Sequence, residues 1–461
     1  MEKTNTLNAK YGLFTAISMV VGQVIGSGIF FKVDDVLTAT QGNIFAGLLG
    51  WILVGLSVIL AAFSMAYYAA LLPNDGGILN YVKFRFGPKS AAMVGWIYMS
   101  LFYPLLTAVL FTVSGIYLCQ LIAEFINFQP TFAHYSAIGF LNLLFFAVFN
   151  IFQPKSSGLF QQITTVLKLI PLILISAMGL IWLLQDQPSE AATYTRHWAS
   201  ASEKGNLWLL VAASFIPISF AFDGWYVATQ LSGEIKNAKK NLPKAMVIGT
   251  FVVALVYLLY YTGIVYGMKT DELLKLKDGY IAEFSRNLLG KTGAILIQLF
   301  IIISVLGTSN GLLLASTRVP YQFHNLEASK KFLNLGKLSE RNVPVNSALL
   351  AIAGITFYLI VFYLTNTLTV FTSVNFDLSA VPIAFMYMVN GALFLGLFRL
   401  IRKQTFQGRK APKYLMVTGA LLGVVLVLTG TATAPNGWIY IAISAAFVLL
   451  GLLVIRKPNT P

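Results

Sequence analysis

The sequence predicts an all-α membrane protein of twelve transmembrane helices with both termini cytoplasmic. It is expected to fold as two inverted five-helix repeats in which helices 1 and 6 are broken. Three observations carry that expectation. Of 461 residues, 57% are hydrophobic and 11% charged, where a soluble globular chain carries roughly 45–50% and about 25%. The apolar residues gather into runs near the ~20 residues that cross a bilayer. Two of these runs are interrupted near their middles by glycines, the second also by an aspartate.

In order, the runs are Leu13–Phe31, Ile44–Leu72, Ala91–Ile122, Tyr135–Phe152, Leu159–Leu184, Leu207–Leu231, Ala245–Tyr266, Ala294–Ser316, Val345–Tyr363, Leu368–Leu397, Tyr414–Thr431 and Gly437–Ile455. They alternate too little, and break too seldom, for a β-barrel, so helices are expected. The first run follows a polar stretch and has no small-residue cleavage site after it. It reads as a retained helix rather than a signal peptide. The chain reads as a single transmembrane domain, 1–461, with a first repeat over 13–184, a second over 207–397, and two further helices over 414–455. The polar stretches Gln185–Asn206, Gly267–Lys291 and Val319–Asn342 are loop-sized and leave no soluble domain. Pro104, Pro171, Pro217 and Pro382 are expected to kink their spans.

The net charge of +15 would point to nucleic acid in a soluble protein. Its distribution gives it another meaning. With the N-terminus inside, twenty-three of the 32 Lys and Arg fall in inner segments and eight in outer ones, with Lys168 within a span. The acids run the other way, and Asp223 and Asp377 fall within spans. This is the positive-inside asymmetry of a membrane protein with an even number of helices. The positive charge is spread over short segments, densest in Arg399–Lys413, rather than on one basic face interleaved with stacking aromatics. It reads as a topological signal with attraction to anionic lipid, and no nucleic-acid partner is expected.

The interruptions read Val24-Ile25-Gly26-Ser27-Gly28-Ile29-Phe30 and Phe220-Ala221-Phe222-Asp223-Gly224-Trp225. Either alone fits tight helix packing. Together they lie five helices apart, and five is odd, so the second unit enters the membrane from the opposite side. Broken helices in corresponding positions of an inverted repeat build a site near the bilayer midplane. Unwinding frees N–H groups that hold a carboxylate and carbonyls that hold an ammonium group or a cation. An α-amino acid carries both charges at that separation.

With these motifs the chain resembles the amino acid–polyamine–organocation transporter superfamily, in its L-type branch, on the side of bacterial serine/threonine exchangers. Besides the two interruptions, the resemblance rests on Pro73-Asn74-Asp75-Gly76-Gly77 through Tyr81 to Gly87, and on Gly233-Glu234-Ile235-Lys236-Asn237 to Asn241-Leu242-Pro243. It covers nearly the whole chain and implies a five-plus-five fold of the LeuT type working by alternating access. It implies that Val24, Ile25, Gly26, Ser27 and Gly28 hold the substrate carboxylate and share in binding its amino group. Backbone at Phe220, Ala221 and Asp223, in the break that also holds Phe222, would complete the amino-group contacts, and Phe220 would act as a thin gate. Eukaryotic members of this branch pair with a glycoprotein through an outer-loop cysteine. Here Phe125–Ala133 has none and the single cysteine, Cys119, lies within a span, so no covalently linked heavy subunit is expected. The expectation is a stand-alone plasma-membrane transporter of bacterial type.

Ionisable groups inside a membrane are costly, about 2.5–3.5 kcal/mol on insertion scales. Lys168 reads either as a packing device for freed carbonyls or, by the resemblance, as a tethered ammonium where sodium-coupled relatives bind a cation. The second reading predicts sodium-independent transport. Asp223 reads as a cap for freed N–H groups or as a contact to the substrate side chain. Relatives with Asp there include both small-neutral and dibasic exchangers. Asp377 has no counterpart in the resemblance and reads as a packing residue or a participant in proton movement. Phe102 and Tyr103 are candidate pocket walls.

Other chemistry is weakly signalled. Gly290-Lys291-Thr292 lacks the upstream glycine of a phosphate loop, since Ser285 stands there. His134, His197 and His324 fall in separate loops without metal-ligand spacing, so no metal and no cofactor are expected. No nucleophile–base cluster suggests an enzyme, and no ring of like charges suggests a channel. The expected function is exchange of small neutral L-amino acids, serine, threonine or alanine, with a proton-coupled symporter or a carrier of cationic amino acids as the alternative.

Overall fold

The computed structural model describes residues 12–26, 28–72, 77–153, 160, 163–184, 207–226, 229, 235–329, 333–339, 343–369, 378, 380–403, 410–433 and 437–455. Among these residues the regular structure is helical, joined by turns and short irregular segments, with an isolated bridge between Ser329 and Ile455. Ten helices among them are long and apolar enough to cross a membrane. They correspond to the expected runs other than the fifth and sixth, which appear as the shorter apolar helices Ile163–Ala177 and Leu207–Ala221. Ser27 and Asp377 lie outside the described residues.

The elements are α1 (Leu13–Val24), α2 (Gly28–Phe31), α3 (Val33–Ala39), α4 (Ile44–Leu71), α5 (Gly77–Phe86), α6 (Pro88–Ile97), α7 (Tyr103–Ala123), α8 (Phe132–Phe152) and α9 (Leu169–Leu184). There follow α10 (Leu207–Ala213), α11 (Phe215–Ala221), α12 (Ala238–Gly267), α13 (Thr270–Leu276), α14 (Tyr280–His324), α15 (Val345–Thr367), α16 (Ala380–Arg402), α17 (Lys410–Thr433) and α18 (Gly437–Val454). The short α3 stands where hydropathy alone suggests only a loop. It ends in a turn through Gln41 and Gly42, both at positive φ. The Asn43 side chain then caps α4 by accepting the Ala46 N–H at 2.9 Å.

The surface is that of a chain bathed in lipid. Phe14, Phe145, Val166, Phe251 and Leu415 stand exposed, while Ser64, Thr107, Thr112 and Ser309 are buried. Each buried hydroxyl donates to the carbonyl one turn back on its own helix, which satisfies it without water. The helices pack in two groups. In one, α12 lies against α1, α4 and α9; in the other, α7 lies against α8, α14 and α15.

Prolines set the local interruptions. Pro171 has no N–H for the Leu167 carbonyl, and helix breaks at Lys168. Pro217 stands in the same relation to Ala213, and Ser214 separates α10 from α11. Pro104 deprives Ser100 of its partner in the π-helical turn Tyr98–Phe102, and the Tyr358 hydroxyl donates to the Ser100 carbonyl at 2.9 Å. Pro382 lies in the first turn of α16, where a missing N–H costs nothing and no kink is needed.

Candidate binding site at the two helix breaks

The first break begins where Ile25 leaves helical geometry at ψ 91° while its N–H still bonds the Val21 carbonyl at 2.9 Å. Helix resumes at Gly28. The second begins after Ala221, where the Phe222 N–H closes on Ile218 and the Asp223 N–H on Phe220, each at 3.1 Å. The chain then turns through Gly224 at φ +98°, a conformation natural to glycine alone. A Cβ there would also lie 3.0 Å from the Gln23 carbonyl oxygen. At Gly28 a Cβ would lie 2.8 Å from Ala221 Cα. The two breaks are therefore pressed backbone to backbone, and only glycine permits the approach.

One side chain ties them together. The Tyr257 hydroxyl, fully buried on α12, lies 2.9 Å from the Val24 carbonyl and 3.2 Å from the Ala221 carbonyl. It offers its proton to the last carbonyls of both interrupted helices. Groups that would be orphans at a helix end are thus answered from an unbroken neighbour.

Between the breaks lies a small cavity. Gln23, Val24, Gly26 and Gly28 line it from one side, and Phe220, Ala221, Asp223 and Gly224 from the other. Leu106 and Leu110 of α7, with Thr308 and Leu312 of α14, close the rest. The Asp223 carboxylate accepts a hydrogen bond from the Tyr226 hydroxyl at 3.1 Å. Phe220 meets Phe31 edge to face with ring centroids 5.5 Å apart.

Lys168 is completely buried, and its ammonium donates to the Gly22 carbonyl on α1. The surroundings are tight: a Cβ at Gly22 would lie 2.5 Å from Thr165 Cγ2, and Gly307 of α14 is crowded in the same way by Thr164. The ammonium thus sits where α1, α14 and the helix ahead of α9 converge, on the near side of the first break.

Of the residues expected from sequence, Val24, Gly26, Gly28, Phe220, Ala221 and Asp223 are brought to one cavity. Ile25 and Phe222 are buried but absent from its lining. The Phe222 ring packs instead on Trp51 and Tyr257, at 5.9 and 5.1 Å. Phe102 stacks on Tyr98 and Tyr103 meets it edge to face; neither is in the lining, to which α7 contributes Leu106 and Leu110. Tyr257, Gln23, Gly224 and Thr308 were not singled out as site residues by sequence. Gly224 stands in the interrupted run beside Asp223, while the other three carry no local signal. Among the described residues no group of His, Cys, Asp and Glu is placed to hold a metal.

A model of the amino acid permease family matches residues 11–457. The serine/threonine exchanger SteT of Bacillus subtilis (strain 168) is 29% identical over 317 residues, 69% of this chain and 68% of that protein. The b(0,+)-type amino acid transporter 1 of Homo sapiens is 25% identical over 458 residues, 98% of this chain and 88% of that protein. The crystal structure of MhsT in complex with L-phenylalanine shares the fold, with a TM-score of 0.62 at 14% identity over 93% of this chain and 99% of that one. With a family model running almost from end to end, the chain belongs to the amino acid permease family as a multi-pass membrane protein.

Proposed function

We propose that this permease is a sodium-independent exchanger of small neutral L-amino acids in a bacterial plasma membrane. In this reading twelve helices, both termini cytoplasmic, form two inverted repeats over 13–184 and 207–397, with 414–455 outside them. The chain transports by alternating access without a covalently linked heavy subunit. The single observation that carries the reading is the pair of helix breaks meeting across a cavity beside a buried, carbonyl-bound lysine.

Each role follows from the chemistry at its position. N–H groups released around Gly26, Ser27 and Gly28 hold the substrate carboxylate, with Val24 and Ile25 contributing backbone to the same cradle. Backbone at Phe220, Ala221 and Asp223 holds the ammonium group, the Phe220 and Ala221 carbonyls each having a second lone pair beyond the bond they accept from the Asp223 N–H and the Tyr257 hydroxyl respectively. Ile25 and Phe222 act through backbone, their side chains being turned into the packing. Phe220 covers the substrate. The Lys168 ammonium supplies a fixed positive charge at Gly22, so no sodium ion is needed there. Leucine walls at Leu106, Leu110 and Leu312 suit a short side chain, and the Thr308 hydroxyl suits one that carries a hydroxyl. Cys119 is buried within α7, which supports a self-sufficient chain.

One observation favours a second reading. Asp223 is among the residues lining the cavity, and a carrier of cationic amino acids would call for an acidic residue there. Purified protein in liposomes separates the two. Labelled serine uptake is expected to require amino acid inside the vesicle and to ignore sodium and an imposed pH gradient. Uptake into empty vesicles would refute exchange, and stronger competition by arginine than by alanine would favour the cationic cargo.

A further inference from the structure

A second lysine sits on the far side of the first break, and the transport chemistry above gives it no task. Lys32 follows α2, and its N–H bonds the Gly28 carbonyl at 3.0 Å, so it moves as one body with the glycine pressed on Ala221. Its side chain is almost wholly buried. The ammonium pairs with the Asp35 carboxylate at 2.6 Å. It also lies 5.1 Å from the centre of the Phe31 ring and 5.0 Å from that of Phe220.

The placement matters because Phe220 belongs to the other broken helix and lines the cavity. A buried ammonium is tolerated only when its charge is answered. The answers include a carboxylate one turn on and the faces of two rings, one from each broken helix. Moving Phe220 aside separates it from Phe31 and from Lys32 together, and leaves the ammonium with part of its partners gone. Displacing Phe220 thus costs Lys32 one of its two ring contacts.

Resting on the transport reading above, we propose that Lys32 is a positioning residue that latches Phe220 over the cavity. Passage on the α3 side then requires its contacts with Phe220 and Asp35 to be broken. The Lys168 ammonium fastens α1 ahead of the break, and Lys32 fastens the chain after it to α11. The two lysines hold opposite faces of the cavity.

The test uses full-length protein in liposomes, with Cys119→Ala removing the native thiol and Leu106→Cys placing a reporter in the cavity wall. A membrane-impermeant thiol reagent is added on the α3 side without substrate. Lys32→Met, which keeps the stem and loses the charge, is expected to raise the labelling rate about ten-fold. Lys32→Arg, which keeps a cation over the rings, should label like the parent, and Asp35→Asn should label faster. Lys32→Met labelling at the parental rate would overturn the proposal. If that variant fails to fold, an unchanged rate in Asp35→Asn does the same. Absence of amino acid uptake by the unmodified chain would count against the transport reading instead, since the labelling contrast needs no substrate.

Discussion

At the scale of single residues, the site depends most on a hydroxyl. Tyr257 reaches the Val24 and Ala221 carbonyls from a helix that is itself unbroken. Tyr257→Phe removes one oxygen and leaves two buried acceptors without that donor, a loss of about 1–3 kcal/mol. Serine uptake is expected to fall by roughly ten-fold while the variant still elutes as folded protein, and parental uptake would show that the bridge is dispensable. Residues such as Gly26 and Asp223 were legible because glycine pairs and charges are rare inside apolar runs. Tyr257 was not, being one of 21 tyrosines in a stretch whose composition is that of any membrane helix. Its partners are 233 and 36 residues away, and no local pattern records such a meeting. Leu106 and Leu110 were invisible for the same reason, as leucines lining a cavity look like leucines facing lipid.

At the scale of elements, the fifth and sixth of the expected twelve helices are each interrupted ahead of a proline. Pro171 and Pro217 announced breaks in the sequence, and the chain is interrupted just before each. At the first of these breaks Lys168 leaves the helical path and turns its ammonium on Gly22. Lys168→Ala would leave that carbonyl without its charged donor and remove one of the ties that hold α1 in place. Transport is expected to drop roughly ten-fold or more, with sodium unable to restore it. Near-normal uptake by the alanine variant in liposomes would count against the tethered-cation role. The π-helical turn before Pro104 and the short α3 were not foreseen, because hydropathy reports how deeply a residue is buried and says little about the winding of its helix.

At the scale of the whole molecule, charge pairing follows the sidedness read from composition. Lys83 pairs with Glu327 at 2.7 Å, both from segments assigned to the inside, and Arg286 pairs with Glu124, both from segments assigned to the outside. The pairings agree with the way the segments alternate between the two faces, and the charge asymmetry of the sequence is what proposes the cytoplasmic one. A tag at the C-terminus is accordingly expected to be cut by protease in inverted vesicles and spared in right-side-out ones; cutting in right-side-out vesicles would reverse the orientation. The helix groups give the transport reading a mechanical frame. α1 and α4 gather on α12, while α8, α14 and α15 gather on α7, and the cavity opens where the two groups meet.

The Ser100 carbonyl, answered by Tyr358 because Pro104 cannot answer it, has a consequence for inheritance and engineering. The start of α7 and the middle of α15 form a single tradeable unit although 258 positions separate them. A chimera that takes α7 from a relative without this proline would leave the Tyr358 hydroxyl to compete with a restored helical bond. One that takes α15 without the tyrosine would strand the carbonyl. Grafts in this family should therefore exchange the two helices as a pair.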